Sequence, residues 1–176
     1  YDHLEFLIKN FNESSLKFCV DFSNGVGSIV FLDLLKRFKI NFLSINENVD
    51  GNFPSHKPEP DEENLKDISK IVKEGNFDFG IAFDGDADRI VFIDENGKVL
   101  RGDQILFLFA KYLKPKKIVY EVSFPPRFKE IIRNLGIDCI ESKVGRVFII
   151  KEMRNNDADI GGEISSHFYF KETKFM

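Results

Sequence analysis

Residues 78–89 read DFGIAFDGDADR: a short apolar run, then aspartates at alternate positions, Asp84, Asp86 and Asp88, then Arg89. Apolar runs of this length, bounded by turn-forming residues, are the pattern of a strand buried on both faces. In open α/β sheets, ligands sit beyond the carboxyl ends of the strands, so this one stretch points to a fold class and to the place of a site. Gly85 and Ala87 are small enough to let the three carboxylates converge on one hard cation. Mg²⁺ takes oxygen ligands and shares its sphere with phosphate or water. Three acids this close repel one another without a cation, which favours the metal reading over a solvated acidic turn. Arg89 adds a fixed positive charge suited to a phosphoryl oxygen. A calcium EF-hand is excluded, because Arg89 stands at the sixth position from Asp84, where that loop needs Gly, and residues 90–93 are apolar.

The same rhythm extends in both directions. Upstream, residues 17–22 and 40–45 read as strands, and residues 25–38 and 61–74 carry helical apolar spacing. Downstream, residues 117–122, 138–141 and 158–161 read as strands, separated by helical segments at 125–135 and 145–155. Strands alternating with helices imply βαβ crossovers and largely parallel sheets. The expectation is an α/β protein of two consecutive three-layer α/β/α units with mixed, mostly parallel sheets. Between them, residues 90–94 precede Glu95-Asn96-Gly97-Lys98, a hairpin signal that puts 90–94 antiparallel at a sheet edge. Residues 102–113 read as the helix opening the second unit. The boundary therefore falls at Lys98, giving domains 1–98 and 99–176, and residues 2–11 read as an amphipathic helix.

Composition narrows the function classes. The chain has 176 residues, 43% of them hydrophobic, enough to build a core, and a net charge of −4. That mild acidity argues against a nucleic-acid or membrane-surface partner, which a basic excess would favour. No apolar run is long enough to span a bilayer. Phe supplies 20 residues and Trp none, so Phe must fill much of the interior. Cys19 and Cys139 each lie in a strand-like run with no CxxC pair, which reads as two buried free thiols in a reducing, cytoplasmic compartment.

Four other segments could carry chemistry. GGEISSH, residues 161–167, follows the last strand of the second unit as DGDADR follows that of the first. Its Glu163, Ser165 and His167 can project together, and a carboxylate and hydroxyl one residue apart suit vicinal sugar hydroxyls. DFSNGVG, residues 21–27, has the position of a phosphate-cradling loop but lacks the P-loop Lys and the full GxGxxG, so it reads as a structural turn. In FPSHKPEP, residues 53–60, Ser55 beside His56 raises a nucleophile reading, disfavoured because no orienting acid is identifiable. SKVGR, residues 142–146, sets Lys143 and Arg146 at a strand-to-helix turn, a candidate anion site.

Together these motifs resemble the α-D-phosphohexomutase family, the phosphomannomutases and phosphoglucomutases. The match runs in order through DFSNGVG, DGNFPSHKPEP, FGIAFDGDADRI, GKVLRGDQIL, SKVGR and GGEISSHFYF, nearly the whole chain. The family has four domains, and the chain resembles the second and third, the third ending early at Met176. The resemblance implies that Asp84, Asp86 and Asp88 ligate Mg²⁺, that Arg89 meets an enzyme-bound phosphate, and that Glu163, Ser165 and His167 bind the sugar. It implies a hexose-phosphate substrate whose phosphoryl group moves between O1 and O6 through an active-site phosphoserine and a bisphosphorylated intermediate. The GEISSH loop looks closer to mannose and glucose mutases than to glucosamine mutases.

Three departures from the family pattern stand out. The phosphoserine loop of the first domain is missing from this sequence, as is the fourth domain, so the chain alone is expected to be inactive. Its partners would be the missing first and fourth domains of the same polypeptide. Ser123 and Arg146 stand where some bacterial members have Lys and His. Two other classes fit parts of the sequence. Asp84 and Asp86 satisfy the Asp-x-Asp of haloacid dehalogenase-type phosphatases, although a full βαβαβ pattern precedes them. A non-catalytic metal and sugar-phosphate binding module is the third reading.

Overall fold

The computed structural model describes residues 16–37 and 41–173. The helix expected at 2–11 lies outside the described residues. The described chain contains β1 (Lys17–Asp21), α1 (Gly27–Arg37), β2 (Asn41–Ile45), α2 (Lys66–Glu74), β3 (Phe79–Phe83), β4 (Ile90–Asp94), α3 (Gly102–Leu113), β5 (Lys117–Glu121), α4 (Phe128–Asn134), β6 (Asp138–Ser142), α5 (Arg146–Asn156), β7 (Ile160–Gly162), β8 (Phe168–Phe170) and a short 3₁₀ turn, Lys171–Thr173. The strands form two four-stranded sheets, ordered β2-β1-β3-β4 and β6-β5-β7-β8. The α/β class and the mostly parallel sheets are as the sequence implied.

The chain divides into two compact units. The first runs to Gly85 and includes Ile93–Lys98; the second takes Asp86–Phe92 and the chain from Val99 onward. In the first, β1 pairs parallel with both β2 and β3, in register Phe18 with Phe42 and Phe18 with Phe79. Those three rings stack along one face, with centroids 6.4 and 5.0 Å from Phe18. On the same side, Phe31 of α1 packs edge-on against Phe83 at 5.0 Å. The opposite face carries α2, whose Val72 approaches Gly80 so closely that a Cβ there would lie 2.8 Å from it. Helices thus flank the sheet on both faces, and Phe supplies the bulk.

In the second unit, β5 pairs parallel with β6 and β7, and β8 adds antiparallel to β7. One face packs Ile118, Tyr120, Cys139 and Ile160 against Leu106 of α3 and Phe128 and Ile132 of α4. The other packs Val119 and Tyr169 against Ile149 and Met153 of α5. Gly161 and Gly162 alternate across this sandwich. A Cβ at Gly161 would meet Met153 at 2.5 Å, and one at Gly162 would meet Leu106 at 2.9 Å, so the double glycine lets both helices close on a short strand.

Three details differ from the sequence expectation. Residues 61–65 are turns, and α2 starts at Lys66, because Asp61 Oδ1 accepts the Asn64 N–H at 2.9 Å while Asn64 Nδ2 donates to the Glu59 carbonyl at 3.0 Å. Such side-chain bonds compete with helix initiation. The segment 125–127 is likewise a turn, closed by Phe128 N–H donating to the Pro125 carbonyl, and α4 is correspondingly shorter. β8 is a strand that its Phe-Tyr-Phe sequence alone did not separate from the loop before it. The hairpin signal at Asn96-Gly97 matches a real turn-back: Asp94 N–H donates to the Lys98 carbonyl, Leu100 N–H to the Phe92 carbonyl, and β4 is an edge strand.

Both cysteines are free and buried. Burial pushes the Cys19 thiol up to about 12, and it also raises Cys139. Both shifts disfavour the thiolate, the reactive form. No described helix is long and apolar enough to cross a membrane.

Candidate functional site

The acidic loop leaves the carboxyl end of β3. Asp84 is buried at 1% exposure, while Asp86 and Asp88 are exposed. One carboxylate oxygen from each lies within 4.8 Å of the others. Ala87 adopts φ of 62°, a left-handed conformation costing a residue with a Cβ about 1–2 kcal/mol. Strain of this kind persists only where the surroundings hold the backbone.

Four features do so. Ser23 Oγ donates to the Phe83 carbonyl at 2.7 Å, and Val26 N–H donates to the Gly85 carbonyl at 3.0 Å. Gly25 lies so close that a Cβ there would come within 2.6 Å of the Gly85 oxygen. On the far side of Gly85, the Phe53 ring and Pro58 leave no free space, since an added Cβ would meet them at 3.1 and 3.2 Å. DFSNGVG forms a turn whose backbone and Ser23 hydroxyl shape the acidic loop. The donor set, three carboxylates on one short rigid loop, suits a hard divalent cation.

The second polar cluster follows β7. Glu163 is 6% exposed, and its Oε1 accepts a hydrogen bond from the Tyr169 hydroxyl at 2.5 Å. Burial, and then that bond, raise the Tyr169 pKa above its ordinary value, which favours the protonated, donating hydroxyl. Glu163 Oε2 faces Ser165 Oγ at 3.5 Å and His167 Nδ1 at 3.8 Å. Ser165 Oγ and His167 Nδ1 are 2.9 Å apart, and His167 Nε2 lies 3.0 Å from Asp88 Oδ1. The three predicted residues therefore converge, and they reach Asp88 of the acidic loop. A second link joins the same segments, because Ile90 N–H donates to the Ser166 carbonyl at 3.2 Å. The loop itself is a tight turn, with Ser166 at φ of 70° and Ser166 N–H donating to the Glu163 carbonyl.

The predicted cations are arranged less uniformly. Arg146 is the first residue of α5, and its guanidinium sits 5.9 Å from the Tyr169 ring, which in turn holds Glu163. Lys143 is exposed, with its ammonium 5.7 Å over the Phe148 ring. Arg89 is half-buried directly after the acidic loop. The serine–histidine pair of the Pro-rich loop does not form a dyad. Ser55 N–H donates to Asn24 Oδ1, while the His56 ring is engaged by the Lys57 carbonyl and Asp21.

Glu121 escaped the sequence reading. At the end of β5 it is 1% exposed, and its Oε1 accepts both the Ile164 N–H at 2.9 Å and the Ser123 hydroxyl. Among the described residues its Oε2 has no hydrogen-bond partner. The carboxylate thus pins the 161–167 loop from below, and Ser123 serves that anchor. Gly102 braces the same loop, since a Cβ there would lie 2.2 Å from the Glu163 carbonyl oxygen and 2.8 Å from that of Ile164. The available signal was the acid closing an apolar strand, Tyr120-Glu121, in the same position as Phe83-Asp84.

Comparison with known proteins places these motifs. Residues 2–97 match the family model described as phosphoglucomutase/phosphomannomutase, alpha/beta/alpha domain II, and residues 101–175 match the corresponding domain III. A phosphomannomutase of Methanocaldococcus jannaschii is 44% identical over 180 residues, covering 99% of this chain and 40% of that protein. A probable phosphoglucosamine mutase of Methanocella arvoryzae is 32% identical over 177 residues, covering 99% of this chain and 39% of that one. The crystal structure of a phosphoglucomutase/phosphomannomutase family protein from Burkholderia thailandensis superposes with a TM-score of 0.90 at 30% identity, covering 97% of this chain and 39% of that one. The chain spans about two fifths of the length of the curated relatives it matches.

Proposed function

Since the chain belongs to the phosphoglucomutase/phosphomannomutase family, we propose that it supplies the metal-binding and sugar-binding parts of a hexose-phosphate mutase. Residues 1–98 form the metal-binding domain and residues 99–176 the sugar-binding domain. The observation that supports this best is the convergence of Asp84, Asp86 and Asp88 within 4.8 Å at the carboxyl end of β3.

Each group has a defined task. Asp84, Asp86 and Asp88 would hold Mg²⁺, whose charge offsets that of a phosphoryl group in transfer. Arg89, next in sequence, contacts an oxygen of the enzyme-bound phosphate. Glu163 accepts from a sugar hydroxyl and Ser165 pairs with its neighbour, while Tyr169 fixes the Glu163 carboxylate in place. His167 lies between this pair and Asp88, within reach of a hydroxyl presented to the metal loop. Lys143 and Arg146 provide positive charge for the far phosphate of the substrate. Catalysis of this kind is mostly positioning and charge stabilisation.

The complete polypeptide would interconvert hexose 1-phosphate and hexose 6-phosphate, with mannose or glucose as the sugar, through a phosphoserine and a bisphosphorylated intermediate. This chain carries no family-type phosphoserine loop, so it binds metal and sugar phosphate without turnover. The test is to assay a polypeptide carrying this chain together with the family's first and fourth domains on mannose 1-phosphate and glucose 1-phosphate with Mg²⁺. Conversion to the 6-phosphate is expected. No turnover with either sugar would sink the substrate assignment. Phosphatase activity of the chain alone, abolished by Asp84→Asn, would replace the mutase reading with a phosphatase.

A further inference from the structure

His56 faces an acceptor at each ring nitrogen. Nδ1 lies 2.7 Å from the Lys57 carbonyl oxygen and Nε2 lies 3.1 Å from Asp21 Oδ2. A carbonyl and a carboxylate can only accept, so satisfying both contacts requires a proton on each nitrogen. The two contacts together therefore favour an imidazolium. Asp21 is fully buried at the end of β1, and its other oxygen already accepts from the Ser23 N–H at 2.8 Å and Asn46 Nδ2 at 3.0 Å. The His56 side chain is only 10% exposed. A neutral ring there would leave the buried carboxylate without its cation, an arrangement that costs several kcal/mol when charges are desolvated.

The segment tied down by this pair is the one that walls the acidic loop. Phe53 holds a left-handed backbone, φ 48°, unfavourable for a bulky residue, and its ring and Pro58 close on Gly85. The loop's other ties run to Asn24. Asp50 N–H donates to the Asn24 carbonyl at 2.9 Å, and Asn24 Oδ1 accepts the Ser55 N–H at 3.3 Å. Of these ties, only the one made by His56 can be switched by a proton.

We propose that His56 is a positioning residue for the acidic loop: as an imidazolium bridging the Lys57 carbonyl and Asp21, it locks the Pro-rich loop so that Phe53 and Pro58 hold Gly85. Its consequence for Mg²⁺ rests on the metal reading above. The hydrogen bond to Asp21 is the main influence raising the His56 pKa above 6.5, burial opposes it, and the Lys57 carbonyl and the charges of Asp21 and Asp67 add to it. Deprotonation then removes one of the two ring bonds and loosens the wall behind Gly85.

The experiment is a pH titration of the ¹⁵N-labelled 176-residue chain without metal, following the ring nitrogens of His56 and the backbone amides of Phe53 and Gly85. Expected are protonated shifts at both ring nitrogens through neutral pH, a midpoint above 6.5, and Phe53 and Gly85 amides that move with that midpoint. In His56→Gln this movement disappears, and the Mg²⁺ dissociation constant of the chain rises about tenfold, the lower end of the range for losing a partner that orients a ligand. A midpoint at or below 6.5, or Phe53 and Gly85 amides indifferent to it, overturns the proposal, and the wild-type chain alone decides this if the variant fails to fold. Unchanged Mg²⁺ affinity in His56→Gln also overturns it. Amides that follow His56 in a chain that binds no Mg²⁺ support the positioning role and reject the metal reading instead.

Discussion

His167 Nε2 lies 3.0 Å from Asp88 Oδ1, although 79 positions separate the two residues in the chain. The histidine that closes the GGEISSH loop thereby orients a carboxylate of the DGDADR loop. Partners that orient a metal ligand commonly contribute 10–100-fold to metal affinity. His167→Ala is expected to weaken Mg²⁺ binding about tenfold by isothermal titration, and His167→Gln, which keeps an N–H donor, to recover part of the loss. Equal affinity in all three proteins would show that Asp88 needs no such partner.

Gly102 has no room for a side chain, because its Cβ would lie 2.2 Å from the Glu163 carbonyl oxygen. The obstacle is backbone on both sides, so a rotamer change cannot relieve it. Gly102→Ala should lower unfolding free energy by about 1–3 kcal/mol, the usual cost of overpacking. Denaturant melts would measure this, with the amides of Ile164 and Ser165 shifting most in the folded spectrum.

Glu121 carries the Ile164 N–H and the Ser123 hydroxyl on one buried oxygen. Truncating it strands an amide inside the second unit, a loss of about 1–3 kcal/mol. Ser123→Ala removes one donor from an oxygen that keeps another, and should cost less. A larger loss from Ser123→Ala than from Glu121→Ala in paired melts would contradict the anchor role.

Stability should depend on pH through His56. Its folded pKa is raised, so its contribution is complete below the unfolded value of about 6.5 and is lost as pH rises through the folded one. The stability gap between wild type and His56→Gln is therefore expected to be widest in mild acid and to shrink toward alkaline pH. Thermal melts of both proteins across that range test the sign, and a gap that widens with pH would refute it.

Cys19 and Cys139 should resist modification in the native state. Both are buried, and the Cys19 thiol is held at about 12, so hardly any thiolate exists at neutral pH. A thiol reagent should label neither residue in buffer and both in denaturant. Rapid native labelling would mean that the sheets open locally.

The fold was legible because its signals are local. Burial on both faces makes strands such as Phe79–Phe83 continuous apolar runs, and the helices between them repeat apolar positions at helical spacing. Element ends were less legible where side chains competed for the backbone, as Asp61 and Asn64 do ahead of Lys66. The acidic loop was readable because its carboxylates are neighbours in sequence, and Glu163, Ser165 and His167 for the same reason. The bond from the Ile164 amide to Glu121 and the His56–Asp21 pair were not, because those partners lie 43 and 35 positions apart in the chain.

The amino-acid order alone thus determined the alternation of strands and helices and the placing of both polar loops at strand ends. The tertiary structure decided which distant groups meet: Asp88 with His167, Glu121 with the Ile164 amide, Asp21 with His56, and β8 with β7. The physical reason is that periodicity and turn chemistry act over a few residues. Contacts between remote residues depend instead on strand register, on how closely helices approach the sheets, which glycines 80, 161 and 162 permit, and on how closely loops approach one another, which glycines 25 and 102 permit.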